Sequence, residues 1–497
     1  MLGTELVELV SGPVLLFFCI AAVVALIIWR RNKRIETEPD RDDPSPVTEP
    51  REQTSPARKE IPRERHPVSR KEISENALKV LYRLNSNGYE AYLVGGCIRD
   101  IYLGLHPKDF DVATNATPEQ VRKLFRNSRI IGRRFKLVHI LFGREMIEVA
   151  TFRASHNEEN HSLDKSRHSD SGRILRDNVY GSMEDDALRR DFTVNALYYT
   201  GTDYSIIDFC GGIRDIEKQT LRLIGDPVRR YHEDPVRMLR AIRFAAKLNF
   251  KMDKGTSAPI FDLGHLLRDI PSARMFDEVL KLLQSGQGEK TFDLLREYGL
   301  LAHLFPATEQ CLISDDDHTE ALIRSALRST DKRIAREKPV TPAFLFAALL
   351  WSPMQRLARD IREQGVPPIP ALQQAAMTVI ENQCAHTAIP KRFTMTVRDI
   401  WDMQFRLERR QKKNIDSLLA HPKFRAAYDF LVLREESGEQ LNGAGQWWTE
   451  LQETTEIDRD SMVHSLRNES GDGRRRRRRR PRKRPAPGSQ QNRNSPQ

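Results

Sequence analysis

Cysteine is scarce in this chain, and its placing excludes two chemistries. Cys19, Cys97, Cys210, Cys311 and Cys384 are odd in number, far apart and nowhere at Cys-x-x-Cys spacing. That argues against a disulfide framework and a structural zinc site, and for a reducing compartment. Aromatics are also few, 7% of 497 residues, while charged residues reach 30%. This balance suits a globular body with disordered ends. Net charge is missing from most of the chain. Residues 474–497 hold ten Arg, one Lys and no acid, which equals the whole net charge of +11. Residues 1–473 are therefore formally neutral, and the basicity is an appendage. Arg474, Arg475, Arg476, Arg477, Arg478, Arg479, Arg480, Arg482, Lys483 and Arg484 form a block of like charges, which repel and stay disordered. Such a block releases counterions from a polyanion. RNA is its expected ligand, with anionic lipid as the rival.

Charged residues are absent in one more place. None occurs from Leu9 to Trp29, and the run ends in Arg30-Arg31-Asn32-Lys33-Arg34. A helix of that length spans roughly 30 Å of hydrocarbon. The basic cluster would keep its C-terminal side cytoplasmic. With no basic stretch before it and no small-residue cleavage site after it, a signal peptide fits poorly. Residues 1–34 are thus expected to be a membrane anchor with its basic flank, holding the chain to the cytoplasmic face of an inner membrane through residues 9–29. Residues 35–68 contain seven prolines and almost no large apolar residues, the composition of a disordered linker.

The most informative stretch is Leu93-Val94-Gly95-Gly96-Cys97-Ile98-Arg99-Asp100, followed by Asp109-Phe110-Asp111-Val112. Alternate residues of a strand share a face. Phe110 and Val112 are expected in the core, with Asp109 and Asp111 together on the other side. Two carboxylates held so close repel unless a cation lies between them. Hard cations with oxygen ligands, chiefly Mg²⁺, bridge such pairs to substrate phosphates. Glycines let backbone N–H groups approach an anion. The pattern points to metal-dependent phosphoryl or nucleotidyl transfer.

Three further motifs follow: Arg189-Arg190-Asp191-Phe192-Thr193-Val194-Asn195-Ala196, Asp208-x-x-Gly211-Gly212-x-x-Asp215, and Glu233-Asp234-Pro235-x-Arg237-x-x-Arg240-x-x-Arg243-Phe244. Together, in this order, the four resemble the bacterial poly(A) polymerases. These are class II nucleotidyltransferases related to the tRNA CCA-adding enzymes. The resemblance covers about His66 to Arg434. Gly132-Arg133-Arg134-Phe135-Lys136-Leu137-Val138-His139 and the basic tail favour the poly(A) branch.

The resemblance implies template-independent addition of AMP from ATP to RNA 3′ ends, with RNA and ATP as partners. Two Mg²⁺ ions would be held by Asp109 and Asp111. Asp191 would be the third catalytic carboxylate, with Glu148 in Ile147-Glu148-Val149 as its rival. Gly95, Gly96, Arg99, Arg189, Arg190, Asn195 and Arg240 fall in the nucleotide-binding motifs, and a guanidinium matches phosphate bidentately. Asp234 and Arg237, three apart and expected on one helix face, would read the adenine edge. The alternatives are a CCA-adding enzyme, which would also use CTP, and a membrane-tethered RNA-binding protein without catalysis.

The expected fold is α+β: a small mixed-sheet nucleotidyltransferase head, a mostly helical body and a disordered basic tail. Ser74 is expected to cap a helix through Leu84, and Thr117-Pro118-Glu119-Gln120 to open another with a capping box. Leu137–Phe142 and Met146–Phe152 read as strands joined at Gly143, while strand signals fade after Asp226. The expected divisions are head 69–225, helical nucleotide- and RNA-binding neck 226–300, helical RNA-binding body 301–460 and tail 461–497. Trp447-Trp448 is read as a core pair.

Overall fold

The computed structural model describes residues 58–132, 136–154, 166–168, 174–177, 179–314, 317–455 and 458–463. The expected anchor, most of the linker and the arginine block lie outside them. Among the described residues no helix is long and apolar enough to cross a membrane.

The head is built on one mixed sheet. Its strands are β1 (Lys59–Ile61), β2 (Ala91–Val94), β3 (Asp111–Thr114), β4 (Ser128–Ile131), β5 (Leu137–Phe142) and β6 (Glu145–Thr151), with β9 (Leu197–Thr200) and β10 (Ile206–Asp208). The intervening β7 (Ser166–His168) and β8 (Ile174–Asp177) form a separate antiparallel pair. Across the main sheet the order is β1-β10-β9-β2-β3-β6-β5-β4. Only the β3–β6 pairing is parallel, with Asp111 opposite Glu148.

Alternation assigns the two faces. Leu93, Val112, Val149 and Tyr199 point into the large core that continues through the helical body to Phe430. Their neighbours Val94, Ala113 and Tyr198 join a smaller cluster on the other face with Phe152, Met183 and Ala187. Phe110 (8% exposed) and Val112 (0%) are buried as expected, while Asp109 and Asp111 remain exposed. The strand begins at Asp111, two residues later than expected.

Local signals hold where side chain meets backbone. Ser74 caps the helix Glu75–Ser86, and Thr117 and Gln120 form a capping box before Pro118–Leu124. Gly143 turns β5 into β6 at φ 63°. Beyond residue 226 the only described strand is Lys251–Met252, paired with Thr220–Leu221. The rest is helical. Trp448 is fully buried and donates its indole N–H to the Leu407 carbonyl at 2.9 Å, so the Trp pair belongs to a core.

One expectation fails. Asp234 and Arg237 do not share a helix. The helix Pro227–Glu233 stops, Asp234 is extended (φ −151°, ψ 94°), and a new helix runs Val236–Leu248. Pro235 is the cause, since the residue before a proline is driven out of the helical region.

Candidate active site

The face of the sheet carrying Val94 and Ala113 also carries the acids. Asp111 and Glu148 are neighbours in register on parallel strands. Asp109 lies two residues before Asp111, just outside the strand. Asp111 keeps solvent access, yet the surrounding protein, then Glu148 and Asp109, push its carboxyl up to about 6 against the pull of Arg190. Burial is the larger cause, and the neighbouring carboxylates add to it. His139, opposite Glu148 on β5, approaches it at 3.3 Å from Nε2 to Oε2. Among the described residues no three His, Cys, Asp or Glu side chains converge to hold an ion unaided. The donor set still fits Mg²⁺, which is commonly held by one or two carboxylates with water and substrate phosphates completing the shell.

The glycine pair follows directly from β2. Gly95 sits at φ 86° and precedes the short helix Gly96–Tyr102. A side chain there would be strained, and its Cβ would come 3.6 Å from Arg190 Nη1. The turn thus brings backbone close to a guanidinium.

Facing the acids is a set of arginines. Burial, then Arg153, Arg230, Arg190 and Arg237, depress the Arg189 guanidinium to about 9. Burial and Arg237 likewise lower Arg230 to about 10 despite Glu233. Cations this crowded are stabilised by an anion. Arg190 is oriented within the set. Its burial opposes the charge, but Tyr198 and Asp186 outweigh that and keep it protonated. Nε donates to the Tyr198 hydroxyl at 3.0 Å and Nη2 to Asp186 Oδ2 at 2.9 Å, and Tyr198 donates to the same Asp186 oxygen at 2.8 Å.

Other motif residues are engaged with one another. Arg99 is only 2% exposed. It grips Asp100 Oδ1 through Nε (2.8 Å) and Nη2 (2.6 Å), and its Nη1 donates to Asn195 Oδ1. Asn195 Nδ2 donates to Asp191 Oδ1 at 3.2 Å. Arg240 donates to Asp191 Oδ2 through Nε at 2.7 Å and again through Nη2. Lys247 reaches Asp100 Oδ2 at 3.0 Å. Lys247 and Arg240 both belong to the helix Val236–Leu248, so the polar chain closes on itself and fastens that helix to the head. Arg99, Asn195, Asp191 and Arg240 are thus bonded to one another across the motifs.

Asp191 and its rival Glu148 are placed differently. Burial would raise Asp191, but Arg240, then Asn195 and the Phe192 N–H, hold it at about 2. It is occupied by an arginine, whereas Glu148 stands beside Asp111. The third motif is structural as well. Asp208 accepts the backbone N–H groups of Cys210, Gly212 and Ile213 at 3.0, 3.0 and 3.1 Å. Asp215 accepts the Thr193 hydroxyl at 2.8 Å.

At the helix break, Asp234 Oδ2 accepts from Arg274 at 2.8 Å, while its Oδ1 is buried without a hydrogen-bond partner among the described residues. Arg237 Nη1 donates to the Arg230 carbonyl at 2.7 Å and to Glu233 at 2.9 Å. Sequence reasoning missed Asp186, Tyr198, Arg153, Arg230 and Lys247. For Asp186 a signal existed, its four-residue spacing from Arg190. Arg230 likewise stands three residues before its partner Glu233, while Tyr198, Arg153 and Lys247 meet theirs only through tertiary structure. The arginine block lies outside the described residues.

Comparison with known proteins places the chain in a family. Three family models match: the poly A polymerase head domain over residues 91–222, the probable RNA and SrmB-binding site of polymerase A over 249–312, and the polymerase A arginine-rich C-terminus over 364–484. Poly(A) polymerase I of Salmonella typhimurium is 52% identical over 419 residues, covering 84% of this chain and 90% of that protein. Poly(A) polymerase I of Haemophilus influenzae is 48% identical over 401 residues, 80% and 88% of the two chains. A CCA-adding enzyme of Lactobacillus gasseri is 35% identical over 229 residues, 46% and 55%. Among solved structures, a tRNA nucleotidyltransferase complexed with a primer tRNA and an incoming ATP analogue shares the fold at a TM-score of 0.52 and 21% identity, covering 76% of this chain and 100% of that one. The chain belongs to the poly(A) polymerase family of nucleotidyltransferases.

Proposed function

We propose that this enzyme adds AMP from ATP to RNA 3′-hydroxyls without a template, in a cleft between the Asp109–Asp111 pair and the arginine set. The observation that carries this reading is geometric: Asp111 and Glu148 stand side by side in register, and Arg190 is held near them by Tyr198 and Asp186. A metal–nucleoside triphosphate complex suits both groups. Asp109 and Asp111 would hold Mg²⁺, two ions by the family resemblance. The metal supplies charge neutralisation at the phosphates and a lowered pKa for the attacking hydroxyl.

Arg189 and Arg190 draw the triphosphate in, and Tyr198 and Asp186 keep Arg190 aimed. The RNA 3′-hydroxyl gives up its proton to water as its oxygen bonds to the α-phosphorus and the bond from that phosphorus to the bridging oxygen breaks, releasing pyrophosphate. The arginines stabilise the charge that gathers on the leaving group. Base choice is assigned to Asp234, whose unpartnered Oδ1 suits the N6 donor of adenine, with Arg237 supplying a donor to N1.

The test uses the full-length chain, Mg²⁺ and a short 3′-hydroxyl RNA, with ATP or CTP separately. A long ladder with ATP and little product with CTP, lost on chelation and restored by Mg²⁺, is expected. A fixed two- or three-nucleotide addition to tRNA-like ends using both nucleotides would replace this reading with CCA addition.

A further inference from the structure

Away from the cleft, the helices Asp317–Ala335 and Phe424–Glu436 lie side by side. They bound an open groove of about 480 Å³. Arg328, Lys332 and Arg336 recur every four residues along one wall, with Arg333 and Lys338 beside them and Arg425 opposite. Against these six cations stand two acids, Asp429 and Glu436. In a chain whose first 473 residues are formally neutral, this is a strong local sorting of charge.

Their pairings differ in a telling way. Arg328 is taken by Glu289 at 2.6 Å, Arg425 by Asp429 at 2.9 Å, and Arg333 donates to the Pro339 carbonyl at 2.9 Å. Lys332, Arg336 and Lys338 are exposed and have no side-chain partner among the described residues. Ser325 and Ser329, on the same wall, also have unengaged hydroxyls among the described residues. The groove floor offers no base-stacking platform. Tyr428 is 8% exposed, its ring packs on Phe424 at 6.1 Å, and its hydroxyl is bonded to Thr449. A ligand held here is recognised by repeated negative charge, not by its bases.

We propose that this groove holds the phosphodiester backbone of the RNA upstream of the 3′ end being extended. Lys332, Arg336 and Lys338 neutralise phosphates, and Ser325 and Ser329 donate to phosphate oxygens. The assignment of RNA as the ligand rests on the extension reading above. The groove shares no residue with the cleft, so its loss weakens retention of the strand without touching nucleotide choice.

The experiment uses the full chain carrying Lys332→Gln and Arg336→Gln together, with single-stranded RNA titrated at several salt concentrations. Removing two phosphate-neutralising cations should flatten the salt slope by about 1.4, at about 0.7 per phosphate on single strands. The KM for a long RNA should rise roughly tenfold, as fits the removal of two such cations, while the KM for ATP and kcat stay at the parent values. An unchanged salt slope and RNA KM would overturn the proposal, as a groove reserved for acidic protein or lipid would give. If the double variant fails to fold, Lys332→Gln alone should flatten the slope by about 0.7. A parent that binds RNA with this sensitivity but extends none would sink the extension reading and leave the groove standing.

Discussion

Asp109 and Asp111 carry the sharpest residue-level expectation. Each is exposed and neither supports the core, so removing either carboxylate subtracts charge without opening a cavity. Asp109→Ala or Asp111→Ala should lower AMP incorporation by roughly 100-fold or more. The thermal midpoint and RNA retention should stay near the parent's. Full activity in either variant would remove the metal-holding role from this pair. Asp191 behaves oppositely, because it is spent on Arg240. Its carboxyl lies at about 2 in the fold against an ordinary value of 3.8. Between those values the native state binds fewer protons than the unfolded chain, so stability rises with pH. The contribution is therefore complete above about pH 4 and lost as pH falls toward about 2. Arg240 is about one third exposed, so solvent screening trims the gain to about 1–2 kcal/mol. Asp191→Asn should lower the unfolding midpoint at pH 7 and lose the acid sensitivity of that window. Parallel midpoint-versus-pH curves for the two proteins would refute the ion pair.

At the scale of elements, the Gly211-Gly212 turn shows how a motif serves the site from a distance. A Cβ on Gly212 would lie 2.2 Å from the Thr193 carbonyl oxygen and 3.0 Å from its carbon. Both are backbone atoms and cannot swing away. The turn is pressed against Thr193–Asn195, which carries the asparagine between Arg99 and Asp191. Gly212→Ala should destabilise by about 3 kcal/mol and reduce activity through Asn195. Circular dichroism melting checks the first effect and AMP incorporation the second. Unaltered melting would mean that the turn yields more easily than its packing implies.

Elements also divide what is legible in the sequence from what is not. Burial alternates from Asp109 to Val112 as period-two patterning in residue order suggests, although the strand itself starts at Asp111. Capping by Ser74 and Thr117 is legible for the same reason, being confined to a few neighbouring residues. The break at Asp234 has its signal in Pro235, which overrides the helical spacing to Arg237. The ring from Lys247 through Asp100, Arg99, Asn195 and Asp191 to Arg240 has no such signal. Its links span up to 147 positions, and no local pattern reveals whether a motif arginine faces ligand or carboxylate.

For the whole molecule, the distribution of charge separates catalysis from retention of RNA. The cleft has an arginine set balanced by nearby acids, and the α-helical body has a groove with three cations unpartnered among the described residues. The arginine block beyond residue 473 holds charge equal to the net charge of the entire chain. Charge placed outside the catalytic head changes how firmly a polyanion is held, while nucleotide choice depends on groups inside the cleft. Deleting residues 474–497 should therefore weaken RNA binding and flatten its salt dependence, by about 0.7 for each phosphate no longer neutralised. Selection of ATP over CTP should be unchanged, since Asp234 and Arg237, the proposed base readers, remain. Filter binding across a salt series and competition between the two nucleotides measure the effects separately. If the slope is unchanged on deletion, the block serves a lipid or protein partner, and RNA is held by the folded body alone. If the slope flattens and the Lys332→Gln, Arg336→Gln change flattens it further by its own increment, tail and groove grip separate phosphates of one strand.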